Sequence, residues 1–203
     1  MAFGQAKQLG EVIKQAQLRY EEQIFPVGKT LKAPTLLRNE IEFNTSALAY
    51  NNSEAFICET IIFPVLKSVW APFQNDFALW SHQTIRVDDD LTGTPDYLIA
   101  KRSALGKIVM DAPYIAVVEA KKDDFSGGWA QCGIEMYAMQ KLNGQPELCI
   151  FGIVSNGAVW QFASLQGDLF LRYTQQYTLD DLNKIFTILT RFLEKAKAQI
   201  QGK

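Results

Sequence analysis

The stretch YIAVVEAKKDD, Tyr114 to Asp124, decides how this chain is read. Its first half is apolar and rich in β-branched residues, the composition of a buried strand. It then runs without a turn signal into Glu119, Lys121, Lys122, Asp123 and Asp124. Side chains alternate along a strand, so Ile115, Val117, Glu119 and Lys121 share one face while Ala116, Val118 and Ala120 share the other. Two charges therefore end one face, and the opposite face stays small and apolar. Lys122, Asp123 and Asp124 read as the strand's exit into solvent.

Upstream, FALWSHQTIRVD (77–88) and TPDYLIAKR (94–102) read as strands joined by a polar, turn-rich connection over 88–94. Antiparallel pairing of the 94–102 strand with the 114–121 strand would carry Asp96, just after Pro95, to the end that holds Glu119 and Lys121. Downstream, DFSGG (124–128) reads as a loop and WAQCGIEMYAMQKL (129–142) as a helix. In LCIFGIVSNGAVWQFASL (148–165) two β-rich runs flank Asn156-Gly157, the favoured centre of a two-residue hairpin turn. LFLRY (169–173) can add another strand. Helical spacing of apolar residues predicts helices over 5–24, 51–70 and 180–200. Asn52 or Ser53 can cap the second, with Glu54 in its first turn, and Pro64 should kink or divide it. Residues 36–43 fit either a short helix or an extended link. The order of elements predicts an α/β domain, a mixed β-sheet flanked by helices. One domain spans 1–203, with an N-terminal helical extension (1–45), a core (50–175) and a C-terminal helix (178–203).

The 203 residues are 48% hydrophobic and 21% charged, enough for one domain with a proper core. No apolar run looks long enough to cross a membrane, and the first residues lack a signal peptide's apolar centre, so a cytoplasmic protein without a membrane partner is expected. Cys58, Cys132 and Cys149 lie in apolar surroundings without metal-ligand spacing and read as reduced core residues. His82 is the single histidine, which removes multi-histidine metal sites; it reads as structural, without an evident partner. There is no G-x-S-x-G elbow, no P-loop and no G-x-G-x-x-G. Carboxylates and lysines remain. Asp96 and Glu119, with a backbone carbonyl, are hard oxygen donors of the kind Mg²⁺ takes. Such an ion acidifies water and offsets charge on a phosphodiester, and a lysine beside it can steady the charge that develops there. The net charge of −2 argues against coating nucleic acid by charge alone.

Pro95-Asp96 followed by Glu119-Ala120-Lys121 resembles the PD-(D/E)XK nuclease superfamily. SEAFICETIIFPVLKSVW, AQCGIEMYAMQ and GIVSNGAVWQF are similar to the first core helix, the following helix and the T-N-G-x-x-W hairpin of the N-terminal nuclease domain of type I restriction motor subunits. The resemblance spans roughly residues 50–175. It implies a restriction-endonuclease-like fold and a metal-dependent nuclease, with DNA as partner and Mg²⁺ or Mn²⁺ as cofactor. By the same resemblance Asp96 and Glu119 bind the metal, Ala120 lends its carbonyl and Lys121 is catalytic. Glu54 joins the metal site, with Glu59 as the second choice, and Gln131 contributes from the following helix. The Q-x-x-x-Y pattern of that helix breaks here, since Glu135 stands four residues after Gln131 and the tyrosine is Tyr137. No motor follows, so a stand-alone relative is expected. A homodimer and a separately encoded partner protein both stay open. The alternatives are a catalytically inactive module of this fold that binds nucleic acid or a protein partner, and an assembly protein built on the terminal helices.

Overall fold

Strand β6 (Met110–Ala120) lies inside an eight-stranded mixed sheet in the computed structural model, which describes residues 6–202. From one edge the order is β1 (Arg19–Gln23), β9 (Leu169–Tyr173), β8 (Val159–Gln166), β7 (Ile150–Ser155), β6, β5 (Tyr97–Arg102) and β2 (Phe77–Ser81), with β10 (Tyr177–Thr178) paired to β8. β6 and β7 run parallel, joined by the crossover helix α5 (Phe125–Asn143); β1 and β9 are also parallel, and the other pairs are antiparallel. One face carries α2 (Thr35–Ala47), a long helix over 54–73 and α6 (Leu182–Ile200), packed through residues such as Ile61, Val65, Phe151 and Phe192. The other carries α1 (Leu9–Ala16), α5 and a small sheet of β3 (Ile85–Arg86) and β4 (Thr92–Gly93), packed through Val12, Leu98, Val117, Met136 and Phe170. The class is α/β, as the element order predicts.

The pairing that positions the site is the expected one. β5 lies antiparallel on β6 with Tyr97 opposite Val118, so Asp96 falls at the level of Glu119. Ile115 departs from simple alternation. The register passes from Ile99↔Ala116 to Ala100↔Tyr114, skipping Ile115, and this bulge turns its side chain into the core layer of Ala116 and Val118.

Several local expectations change. The helix expected over 5–24 ends at Ala16, because Gln17 takes a left-handed φ of 55° and the Leu18 amide reaches back to the Ile13 carbonyl at 2.9 Å. Arg19–Gln23 then forms β1, so the N-terminal part is not purely helical: it adds an edge strand to the main sheet. Residues 35–47 are helical, and FALWSHQTIRVD divides at His82 (φ 50°) into β2 and β3, which lie in different sheets. DFSGG is not a loop. Asp124 caps α5 by accepting the Gly127 amide at 2.8 Å, so it is a helix cap and not a free solvent exit. The hairpin forms, but its turn centres on Gly157-Ala158. Gly157, with φ 81°, takes the first central position where type II′ turns place glycine, and Asn156 and Val159 are bonded across the turn.

The helix divides just ahead of Pro64, as expected, and Pro64 falls in the first turn of its second α-helical part. α3 (Glu54–Ile57), capped by Ser53, runs through a π-helical turn (Cys58–Ile62) into α4 (Phe63–Trp70). Pro64 has no N–H to give the Thr60 carbonyl, and Asn44 Nδ2 of α2 donates to that carbonyl at 2.7 Å instead. Glu54–Phe73 also overturns the expectation that no segment is apolar and long enough to cross a membrane. Eighteen consecutive residues within it reach a mean hydropathy of 1.4, and half of that stretch is buried inside the protein.

Candidate active site

Three consecutive amides at the end of β6 are held by three different elements. The Ala120 amide donates to Asp96 Oδ2 at 2.7 Å. The Lys121 amide donates to the Ser155 carbonyl of β7 at 2.9 Å. The Lys122 amide donates to Glu54 Oε1, in the first turn of α3, at 3.1 Å. The chain therefore leaves the sheet along a fixed path, and the side chain of Lys121 is aimed by it. Gly128, in the first turn of α5, leaves room for the lysine stem: a Cβ there would stand 2.7 Å from Lys121 Cγ.

Lys121 Nζ lies 3.4 Å from Glu119 Oε2 and 4.0 Å from Glu54 Oε2. Burial works against its charge, but Glu119, Glu54 and Asp96 outweigh burial and raise the lysine pKa above its ordinary value. Glu119 is 1% exposed. Burial, with Asp96 adding to it, pushes its carboxyl up to about 7 although Lys121 pulls the other way. The second oxygen of Asp96, Oδ1, faces His82 Nε2 at 3.4 Å. His82 thus has a partner at the rim of the site, against the expectation of none.

The structure brings together Asp96, Glu119, Ala120, Lys121 and Glu54. Glu59 lies on an exposed helix face, and Glu54 is the one that reaches the end of β6. Ala120 contributes its amide to Asp96. Gln131, one turn before Glu135 on α5, works against the rise of the Glu135 pKa and helps line a cavity of about 210 Å³ beside it. Glu135 is the residue that sequence reasoning passed over. It is 1% exposed, it faces Glu119, and burial followed by the Glu119 charge drives its pKa well above the usual carboxylate range. No other residue donates to an oxygen of Glu119 or of Glu135, and the raised Glu135 pKa leaves a proton as the one thing the two carboxyls can share without a cation. The single carboxylate of α5, set among apolar residues between Gln131 and Gln140, was the available signal.

These donors fit a hard divalent cation. Glu119 offers buried oxygens without donors, and Asp96 keeps Oδ1 clear of the backbone bond. Among the described residues no three His, Cys, Asp or Glu side chains form a metal-holding group. Mg²⁺ takes one or two carboxylates and keeps several waters, so it does not require such a group. No protein-family model matches the chain, and no curated protein matches it.

Proposed function

We propose that this protein is a metal-dependent nuclease of the cytoplasm that hydrolyses phosphodiester bonds of DNA, with Mg²⁺ or Mn²⁺ as cofactor. The observation that supports it most is the convergence of Asp96, Glu119, Lys121 and Glu54 on one sheet end, with Glu119's buried oxygens unsatisfied. Asp96 and Glu119 would hold the ion, with Glu54 and the Ala120 carbonyl as the further oxygens that the family resemblance supplies. When bound, the ion supplies positive charge at the scissile phosphate and makes attacking water more acidic.

The chain's own residues do the rest. Lys121, kept charged by its carboxylate neighbours, offsets the negative charge that develops on the phosphate oxygens. The three clamped amides hold its ammonium in place during that change, so little reorganisation accompanies the step. The water oxygen forms the new P–O bond, one ester P–O bond breaks, and the leaving oxygen takes up a proton. The products are a phosphate monoester and a free hydroxyl.

The second reading is an inactive module of the same fold that binds nucleic acid or a protein partner. One observation favours it: Lys121 is already engaged by Glu119 and Glu54. Cleavage of plasmid and single-stranded DNA with Mg²⁺ or Mn²⁺, compared among wild type, Glu119→Ala and Lys121→Ala, separates the two. Cation-dependent cleavage lost in both variants supports the nuclease. A wild type inert on every substrate, with no cation bound, ends that reading.

A further inference from the structure

We propose that Glu135 is a direct ligand of a divalent cation, which it shares with Glu119 on the α5 side of β6. The proposal rests on the metal-dependent reading of the site, and it adds a residue that neither the E-x-K strand nor the family resemblance supplies. Glu119 comes from the end of β6, and Glu135 comes from the second turn beyond Gly128 in the helix that crosses over it. Each is 1% exposed, and all four carboxylate oxygens lack a hydrogen-bond donor.

Among the described residues the other buried side-chain polar atom without a partner is a donor, Trp80 Nε1, so Glu119 and Glu135 alone leave acceptors open. Gln161 and Gln140 on the same face of the sheet are satisfied: Gln161 accepts from Trp129 Nε1 at 2.7 Å, and Gln140 donates to the Gly167 carbonyl at 2.8 Å. An unpaired buried carboxylate costs several kcal/mol, so two facing each other take up either a proton or a partner of opposite charge, and an ionised pair needs the second. Lys121 brings one positive charge, and it is shared with Glu54. The negative charge left over calls for a small cation, not for an anion or an apolar ligand. Two carboxylates are enough for Mg²⁺ or Mn²⁺, whose remaining positions are filled by water, so the pair needs no third acidic side chain.

The surroundings suit an ion that brings water. The cavity of about 210 Å³ is lined by Glu135 with Gln131, Gly127, Thr92 and Gly93. Gln131, one turn before Glu135, lines the same cavity and offers its amide to water there. β4 covers the carboxyl through Gly93, where a Cβ would stand 3.2 Å from Glu135 Oε1. The small β3–β4 sheet is therefore the lid of the ion site.

Calorimetric titration with Mn²⁺, with thermal unfolding run with and without the ion, tests the proposal on wild type, Glu135→Gln, Glu135→Asp and Asp96→Asn. Glu135→Gln should melt higher than wild type without metal, bind Mn²⁺ at least about tenfold more weakly, and lose most of the ion-induced rise in Tm. Glu135→Asp keeps the charge on a shorter arm and should recover part of the affinity; it carries the test should the glutamine variant not fold. Wild-type Mn²⁺ affinity in Glu135→Gln, together with weakened binding in Asp96→Asn, overturns the Glu135 proposal and leaves the nuclease reading standing. Glu135-dependent Mn²⁺ binding without cleavage of any DNA does the reverse. A wild type that binds no Mn²⁺ ends both.

Discussion

Helix α5 carries two buried polar constellations less than two turns apart, and they are built on opposite principles. At its start, Trp129 packs its ring against the Arg172 guanidinium, 3.8 Å from the ring centre, while its Nε1 donates to Gln161 Oε1 at 2.7 Å. Arg172 donates to the same oxygen at 2.5 Å and to the Phe162 carbonyl at 3.3 Å. Burial lowers the Arg172 pKa to about 10, yet the group has partners in its hydrogen bonds and in the ring. At Glu135 the same helix presents a carboxyl to Glu119 with nothing donating to either. The first set closes on itself and ties α5 to β8 and β9. The second is left open, and an open buried charge lowers stability until a proton or a ligand meets it.

Breaking the open set should cost function. Lys121→Ala should lower cation-dependent DNA cleavage by at least about 100-fold with a near-normal melting curve, because the lost interaction is one made at the phosphate. Breaking the closed set should cost stability. Gln161→Leu leaves Trp129 Nε1 and an Arg172 donor without their acceptor, so a loss of roughly 2 kcal/mol in denaturant unfolding is expected, with cleavage by the remaining folded protein little changed.

Acidity sharpens the contrast. Glu119 and Glu135 have raised folded-state pKa values, so the folded metal-free protein holds these protons more tightly than the unfolded chain does. Their contribution is therefore most favourable near the ordinary glutamate pKa and is lost as pH rises towards and through about 7, the Glu119 value. Urea midpoints in the presence of a chelator should fall between about pH 5 and pH 8, and the Glu119→Gln/Glu135→Gln double variant should flatten that slope. The smallest effect belongs to Lys122→Ala. Its amide, not its exposed side chain, holds Glu54, so cleavage should stay within about twofold of wild type.

The legible parts of the site were the local ones. Alternation along 114–121 placed Glu119 and Lys121 on one face, and the short connection from 102 to 113 made the antiparallel partner of β6 readable, and with it the position of Asp96. What escaped depends on partners distant in sequence. β1 has every residue exposed and is a strand because it lies beside β9, about 150 residues later, so its sequence shows no alternation to read. Glu135 looked like a break in a motif because its significance comes from the packing of α5 across β6. His82 looked partnerless because its partner, Asp96, sits beyond the turn that separates the two sheets.

The π-helical turn at Cys58–Ile62 has a consequence for angle. It places one more residue in a turn than the α-helical segments on either side, and each α-helical residue is worth about 100° of rotation. The extra residue is a phase shift between the two halves of the helix. Downstream, Val65, Leu66 and Val69 keep their bearing on the core; upstream, Glu54 is dialled round to the Lys122 amide. Deleting one residue from this turn should let the helix close its ladder, keep α4 seated, and carry Glu54 about 100° away from the end of β6. A folded protein with weakened cleavage is the expected readout. The separation of Glu54 from Pro64 is thus a setting of azimuth as much as a count of residues along the chain.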